Sequence, residues 1–122
     1  MTDKATQIVM VIDDDYTMVE LIIEILRNDG WCAFITTTQP EKAVEYLNDK
    51  KNALPALIIT DNEMGAITGK DIIKLAQDKN IPAVLISGEL QANLIAQKYG
   101  AKFMSKPFSI QVFRNAIAAA VS

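Results

Sequence analysis

The chain has 122 residues, half of them hydrophobic and 22% charged, which is one domain's worth of ordinary globular sequence and excludes disordered or low-complexity scaffolds. A net charge of −3 is the wrong sign for binding a phosphate backbone over the whole surface. With no histidine and one cysteine, Cys32, there is no Ser-His or Cys-His triad, no imidazole metal ligand, no internal disulfide and no Cys-rich zinc site.

Ile8-Val9-Met10-Val11-Ile12 is a β-branched run that predicts a strand buried on both faces. Tyr16 to Asp29 has apolar residues at Met18, Leu21, Ile22, Ile25 and Leu26, a helical spacing that Gly30 ends. Trp31 to Thr36 reads as a second strand, with Trp31 and Cys32 as core residues, and Gln39 to Lys50 as a helix with Pro40 in its first turn. Ala56 to Thr60 is a third strand that runs into Asp61, followed by a loop with Gly65 and Gly69 and a helix over Lys70 to Asp78. Asn80-Ile81-Pro82 breaks that helix, and Ala83 to Ile86 is a fourth strand. A helix over Leu90 to Tyr99 stops at Gly100, Lys102 to Ser105 is a short fifth strand, and Ser109 caps a last helix through Val121. Met10, Met18, Met64 and Met104 read as packing residues. No apolar run approaches the ~20 residues of a membrane helix, and the opening Met1-Thr2-Asp3-Lys4 is unlike a signal peptide. A cytoplasmic protein is expected.

Five βα units in a row predict an open parallel sheet with helices on both faces. Such sheets bind ligands beyond the carboxyl ends of their strands. The first strand is followed by Asp13, Asp14 and Asp15, the third by Asp61 and Glu63, the fourth by Ser87 and Gly88, and the fifth by Lys106 and Pro107. Each of these residues alone is ordinary turn chemistry. Together they place several carboxylates, a hydroxyl and an ammonium on one sheet edge. Clustered carboxylates bind a proton or a hard cation, and an all-oxygen donor set suits Mg²⁺, Ca²⁺ or Mn²⁺. A lysine and a hydroxyl beside such a cation suit a phosphoryl group, and one carboxylate could serve as nucleophile and form an acyl phosphate.

Taken in order, Val11-Ile12-Asp13-Asp14, Ile59-Thr60-Asp61-Asn62-Glu63-Met64 with Gly69, Leu85-Ile86-Ser87-Gly88 and Phe103-Met104-Ser105-Lys106-Pro107-Phe108 resemble a response-regulator receiver domain of the CheY-like family. The resemblance covers essentially the whole chain. It implies an α/β, flavodoxin-like (βα)5 three-layer sandwich with strand order 2-1-3-4-5, one receiver domain over residues 1–122. By the same resemblance Asp61 is the phosphoacceptor, and Asp13, Asp14, Asp61 and the backbone carbonyl of Glu63 form a Mg²⁺ site. Lys106 pairs with a phosphoryl oxygen, Ser87 is the switch hydroxyl and Phe103 the aromatic residue that changes rotamer. A cis Lys106–Pro107 bond is implied as well. The implied function is acceptance of a phosphoryl group from a histidine kinase or phosphotransfer protein, which alters the surface offered to an output protein. The chain is then a signalling receiver that assists its own phosphorylation and dephosphorylation, and no enzyme in the usual sense.

Four departures from the family pattern stand out. Gly65 replaces the usual proline, Glu63 and Glu89 occupy positions that tune hydrolysis in relatives, Phe103 replaces the commoner tyrosine, and Ser87 to Lys106 is about one helical turn short. On the first helix Val19 and Ile23 lie four apart, adjacent on the surface and outside the core stripe. They are expected as an exposed contact for the kinase or phosphotransfer partner, the alternative being a wider buried stripe. The last helix carries one charge, Arg114, before a run of alanines, without the charged network of dimerising relatives. A monomer is expected, with neither nucleic acid nor membrane as partner. Two other readings compete. One is a phosphorylation-independent receiver-fold adaptor. The other is a haloacid-dehalogenase-like phosphatase, suggested by Asp13-Asp14-Asp15-Tyr16-Thr17 but lacking acidic residues after Lys106.

Overall fold

The structure, a computed structural model, describes residues 3–122. Five strands alternate with five helices: β1 (Ile8–Ile12), α1 (Tyr16–Asn28), β2 (Ala33–Thr37), α2 (Pro40–Asn48), β3 (Leu57–Asp61), α3 (Gly69–Asp78), β4 (Ala83–Ser87), α4 (Ala92–Lys98), β5 (Lys102–Ser105) and α5 (Ile110–Val121). All neighbouring strands pair in parallel, in the order β2-β1-β3-β4-β5. This is the flavodoxin-like arrangement.

Alternation along each strand sorts the core into two layers. Met10, Ile12, Ile58 and Leu85 face α2, α3 and α4, where Leu47, Ile72, Ile73, Ala76 and Ala96 complete one cluster. Val9, Val11, Leu57, Ile59, Val84 and Ile86 point the other way, toward Ile22 and Leu26 of α1 and Phe113 and Ile117 of α5. The central strands β1, β3 and β4 are therefore buried on both faces, as their apolar runs require, with polar residues confined to the carboxyl ends of β3 and β4. Met10, Met64 and Met104 are buried and Met18 is half-buried, so all four pack as expected.

The second strand begins two residues later than the sequence predicts. The Trp31 N–H is committed to the Leu26 carbonyl at 3.1 Å, a bond that closes the end of α1. Trp31 still packs in the core. Cys32 does not: it lies in the connection, exposed, with its thiol 3.6 Å from the Gly30 carbonyl. Helix α4 also starts late, at Ala92, and with 7 residues it is the shortest of the helices. That is where the shortened stretch between Ser87 and Lys106 falls.

The stripe of α1 is rotated from the expected one. Val19, Ile22, Ile25 and Leu26 are its buried residues, with Val19, Ile22 and Leu26 at the i, i+3, i+7 spacing of a single face. Val19 is only 2% exposed, whereas Leu21, expected in the stripe, is 42% exposed. Ile23 is half-buried at the margin. The expected exposed patch of Val19 and Ile23 is thus the wider buried stripe.

Candidate functional site

The carboxyl ends of β1, β3, β4 and β5 bring the acidic, hydroxyl and ammonium groups together. Asp13 follows β1 directly and is fully buried. Its Oδ1 accepts the Asp15 N–H at 2.9 Å, and Asp15 in turn caps α1 by accepting the Thr17 N–H at 3.0 Å. The start of α1 therefore fixes the Asp13 carboxylate. Asp14 stands exposed beside it. One carboxylate oxygen from each of Asp13, Asp14 and Asp61 lies within 4.8 Å of the others.

Asp61 ends β3 opposite Ile86 of β4 and is 2% exposed. The chain leaves it under constraint: the Asn62 N–H donates to the Ile86 carbonyl at 2.9 Å, and the Gly69 N–H to the Asn62 carbonyl at 3.0 Å. At Gly69 a Cβ would stand 2.5 Å from the Asp61 carbonyl oxygen and 2.7 Å from Asn62 Cα. Only glycine lets α3 start this close to the acidic strand end. Gly65, between them, has φ +102, which the proline of relatives, fixed near −65°, cannot adopt.

Lys106 comes from the other edge. Its N–H continues the ladder to the Ser87 carbonyl at 2.9 Å, and the following bond to Pro107 is cis, as the resemblance implied. Its Nζ lies 2.8 Å from Asp61 Oδ1 and 3.7 Å from Asp13 Oδ2. Neither oxygen accepts any other hydrogen bond among the described residues, although both are buried. One ammonium thus contacts two buried carboxylates, with the Asp14 carboxylate beside them. Burial pushes the Asp13 carboxyl up to about 6, with the Asp15 N–H opposing and Asp61 adding to the rise. Burial also raises Asp61, against the pull of Lys106 and with help from Glu63 and Asp14. Burial alone would lower Lys106, but Asp61, Asp13 and Glu63 outweigh it and hold the ammonium above its usual range. A hard divalent cation fits such a donor set: the ligands are all oxygen, two of them are buried with no partner but Lys106, and their charge exceeds what Lys106 offsets.

Ser87 ends β4 and is fully buried. Its hydroxyl donates to Glu63 Oε2 at 2.8 Å and accepts the Glu89 N–H at 2.9 Å, while the Gly88 N–H lies 3.4 Å from Glu63 Oε1. The sequence reading gave Glu63 a backbone carbonyl for the metal and a position that tunes hydrolysis, but no bond to Ser87. Its side-chain contact joins residues 24 apart, which no local spacing signals. Phe103 is half-buried against the α2–α4 layer, level with Leu85 in the ladder.

The family model of the response regulator receiver domain matches residues 9–118, and the chain belongs to that family. Solved structures agree. FixJ-N is 25% identical with a TM-score of 0.81, the match covering 99% of this chain and 95% of that one. A response regulator receiver domain protein from Clostridium thermocellum is 24% identical, with a TM-score of 0.79 and 94% of each chain covered. The chemotaxis protein CheY4 from Vibrio cholerae shares the fold at 20% identity and a TM-score of 0.78, over 95% of this chain and 99% of that one. No curated protein matches the sequence. Receiver domains are signalling modules of two-component systems, and the family typically binds Mg²⁺. Membership decides against the phosphatase reading of Asp13 to Thr17. Among the described residues no helix is long and apolar enough to cross a membrane.

Proposed function

We propose that the chain, residues 1–122 as one receiver domain, accepts a phosphoryl group on Asp61 from a histidine kinase or phosphotransfer protein. The supporting observation is the 2.8 Å contact of Lys106 Nζ with Asp61 Oδ1, made beside the Asp13 and Asp14 carboxylates at the mouth of the sheet. Lys106 holds Oδ1 and leaves Oδ2 as the attacking oxygen. A new bond forms from that oxygen to phosphorus, the P–N bond to the donor imidazole breaks, and the ring nitrogen leaves with the electron pair. The product is an acyl phosphate on Asp61. Asp13, Asp14, Asp61 and the Glu63 carbonyl would hold Mg²⁺, which when bound neutralises charge on the phosphoryl oxygens. Lys106 supplies a further positive charge beside Asp61, so the receiver contributes by positioning and by charge. Ser87 and Phe103 are the residues we assign to the switch that follows, a shift between two states already present.

The partner that delivers the group meets α1 beside the site. Met18 and Leu21 line a shallow depression of about 510 Å³ with Lys106, Pro107 and Phe108, and these replace Val19 as the contact on that face. Ile23, half-buried, lies away from this depression and lines a separate groove of α1 with Val19 and Thr36.

Acetyl phosphate with and without Mg²⁺, read by intact mass, tests the proposal. One Mg²⁺-dependent phosphoryl adduct is expected, and none in Asp61→Asn. No adduct from any donor would leave the phosphorylation-independent adaptor as the reading.

A further inference from the structure

The Ser87 hydroxyl has one proton, and it is already engaged. Glu63 takes it at 2.8 Å with Oε2 and faces the Gly88 N–H with Oε1 at 3.4 Å. Glu63 itself is exposed, while Ser87 is buried. The carboxylate therefore reaches inward from the β3–α3 loop and ties it to the β4–α4 loop. The Glu89 N–H on Ser87 Oγ at 2.9 Å fixes the hydroxyl rotor further, because it takes a lone pair and leaves the proton pointed at Glu63.

We propose that Glu63 is an internal competitor of the phosphoryl group: its carboxylate occupies the Ser87 O–H and Gly88 N–H that a phosphoryl group on Asp61 must win before the domain switches. The inference rests on Asp61 as the acceptor. Both claimants are anions, and a single hydroxyl proton serves one acceptor at a time. Bonds to a charged acceptor are stronger than neutral ones, so release of Glu63 is a resisting step in switching. Glu63 acts here through Ser87 and is a positioning residue.

The test uses the full chain with Glu63→Ala and Glu63→Gln, each alone and combined with Ser87→Ala. The side chain at 63 is exposed, so these replacements leave the core intact, and the backbone carbonyl at 63 remains. In the unliganded, metal-free protein, NMR should show the Gly88 amide proton moving upfield in Glu63→Ala and the Ser87 side chain averaging over rotamers. With Mg²⁺ and beryllofluoride as the phosphoryl mimic, Glu63→Ala should tighten the apparent Kd about tenfold, the equivalent of one charged hydrogen bond. Glu63→Gln should fall between, since its amide oxygen still accepts but carries no charge. In the Ser87→Ala background the same replacement should change Kd by roughly twofold at most. Equal tightening in both backgrounds would mean plain charge repulsion and overturn the proposal. An unmoved Gly88 amide in Glu63→Ala would overturn it too, whatever beryllofluoride does. Failure of the unsubstituted protein to bind beryllofluoride would count against Asp61 as acceptor, while the Gly88 and Ser87 signals still decide whether the latch exists.

Discussion

Asp13 shows how a single buried group sets both chemistry and stability. Its carboxyl is held at about 6, against an ordinary 3.8, chiefly by burial. The folded state therefore keeps a proton that the unfolded state has lost. Stability from this group is fully present below 3.8 and is lost as pH rises through about 6. Lys106 has the same sign at the alkaline end, where its raised value means that its contribution fades only above 10.5. Urea unfolding should thus give a free energy that declines between pH 4 and 6, and Asp13→Asn should flatten the decline. The difference between 3.8 and about 6 sets a ceiling on the order of 3 kcal/mol for that replacement at neutral pH. Gly69 acts sterically instead. A methyl group there meets Asp61 and Asn62 backbone, and the strain of overpacking is typically 1–3 kcal/mol. Gly69→Ala should lose phosphorylation by acetyl phosphate more than it loses thermal stability, because the first atoms to move are those that carry the Asp61 carboxylate. Equal retention of both would argue against that role.

Helix α1 makes the same point one level up. Its buried face is centred between Ile22 and Leu26, which draws Val19 inside and turns Leu21 out. A charge at Val19 would be buried without a partner, so Val19→Glu should unfold the domain at lower urea. Leu21→Lys should leave stability within about 0.5 kcal/mol and slow transfer from a cognate kinase, while acetyl phosphate still works. A variant that lost both donors equally would place Leu21 in the chemistry and not in docking. The sequence pattern carried the sheet well: β1 and β5 match their predicted residues one for one, β1 because a β-branched run between polar ends has few other uses, and β5 because Gly100 and Pro107 bracket a run too short for a helix. It carried the acidic, hydroxyl and lysine positions equally well, because parallel strands deliver their carboxyl ends to one edge. It misplaced the orientation of α1, because Met18, Val19, Leu21, Ile22 and Ile23 are all apolar and the period alone does not choose a centre. It missed the Cys32 connection, where one helix-ending bond from Trp31 overrides strand propensity. The Glu63 contact with Ser87 was invisible for a third reason, being made across two loops by a flexible side chain.

The molecule as a whole is two apolar layers sealed by one sheet, and each layer stands on a few large side chains. Phe113 is fully buried, stacks on Phe108 with ring centroids 5.8 Å apart, and anchors α5. Phe113→Ala should reduce the unfolding free energy by about 3–5 kcal/mol. If the acidic edge holds Mg²⁺, the ion will also stabilise the whole fold by mass action. At a hundredfold excess over its Kd the gain is about 2.7 kcal/mol, and Asp13→Asn should remove it. Sodium at equal ionic strength separates this from simple screening. The polarity of the sheet has a practical side. Cys32 precedes β2 while Asp61 and Lys106 close the far ends of their strands, about five residues or roughly 17 Å away along the strand direction. The exposed thiol is the only one in the chain. A maleimide dye or a biosensor chip attached there would hang the domain by its blunt end, with every copy presenting its acidic mouth to the solution, and no engineered cysteine would be needed to count binding events at the other side.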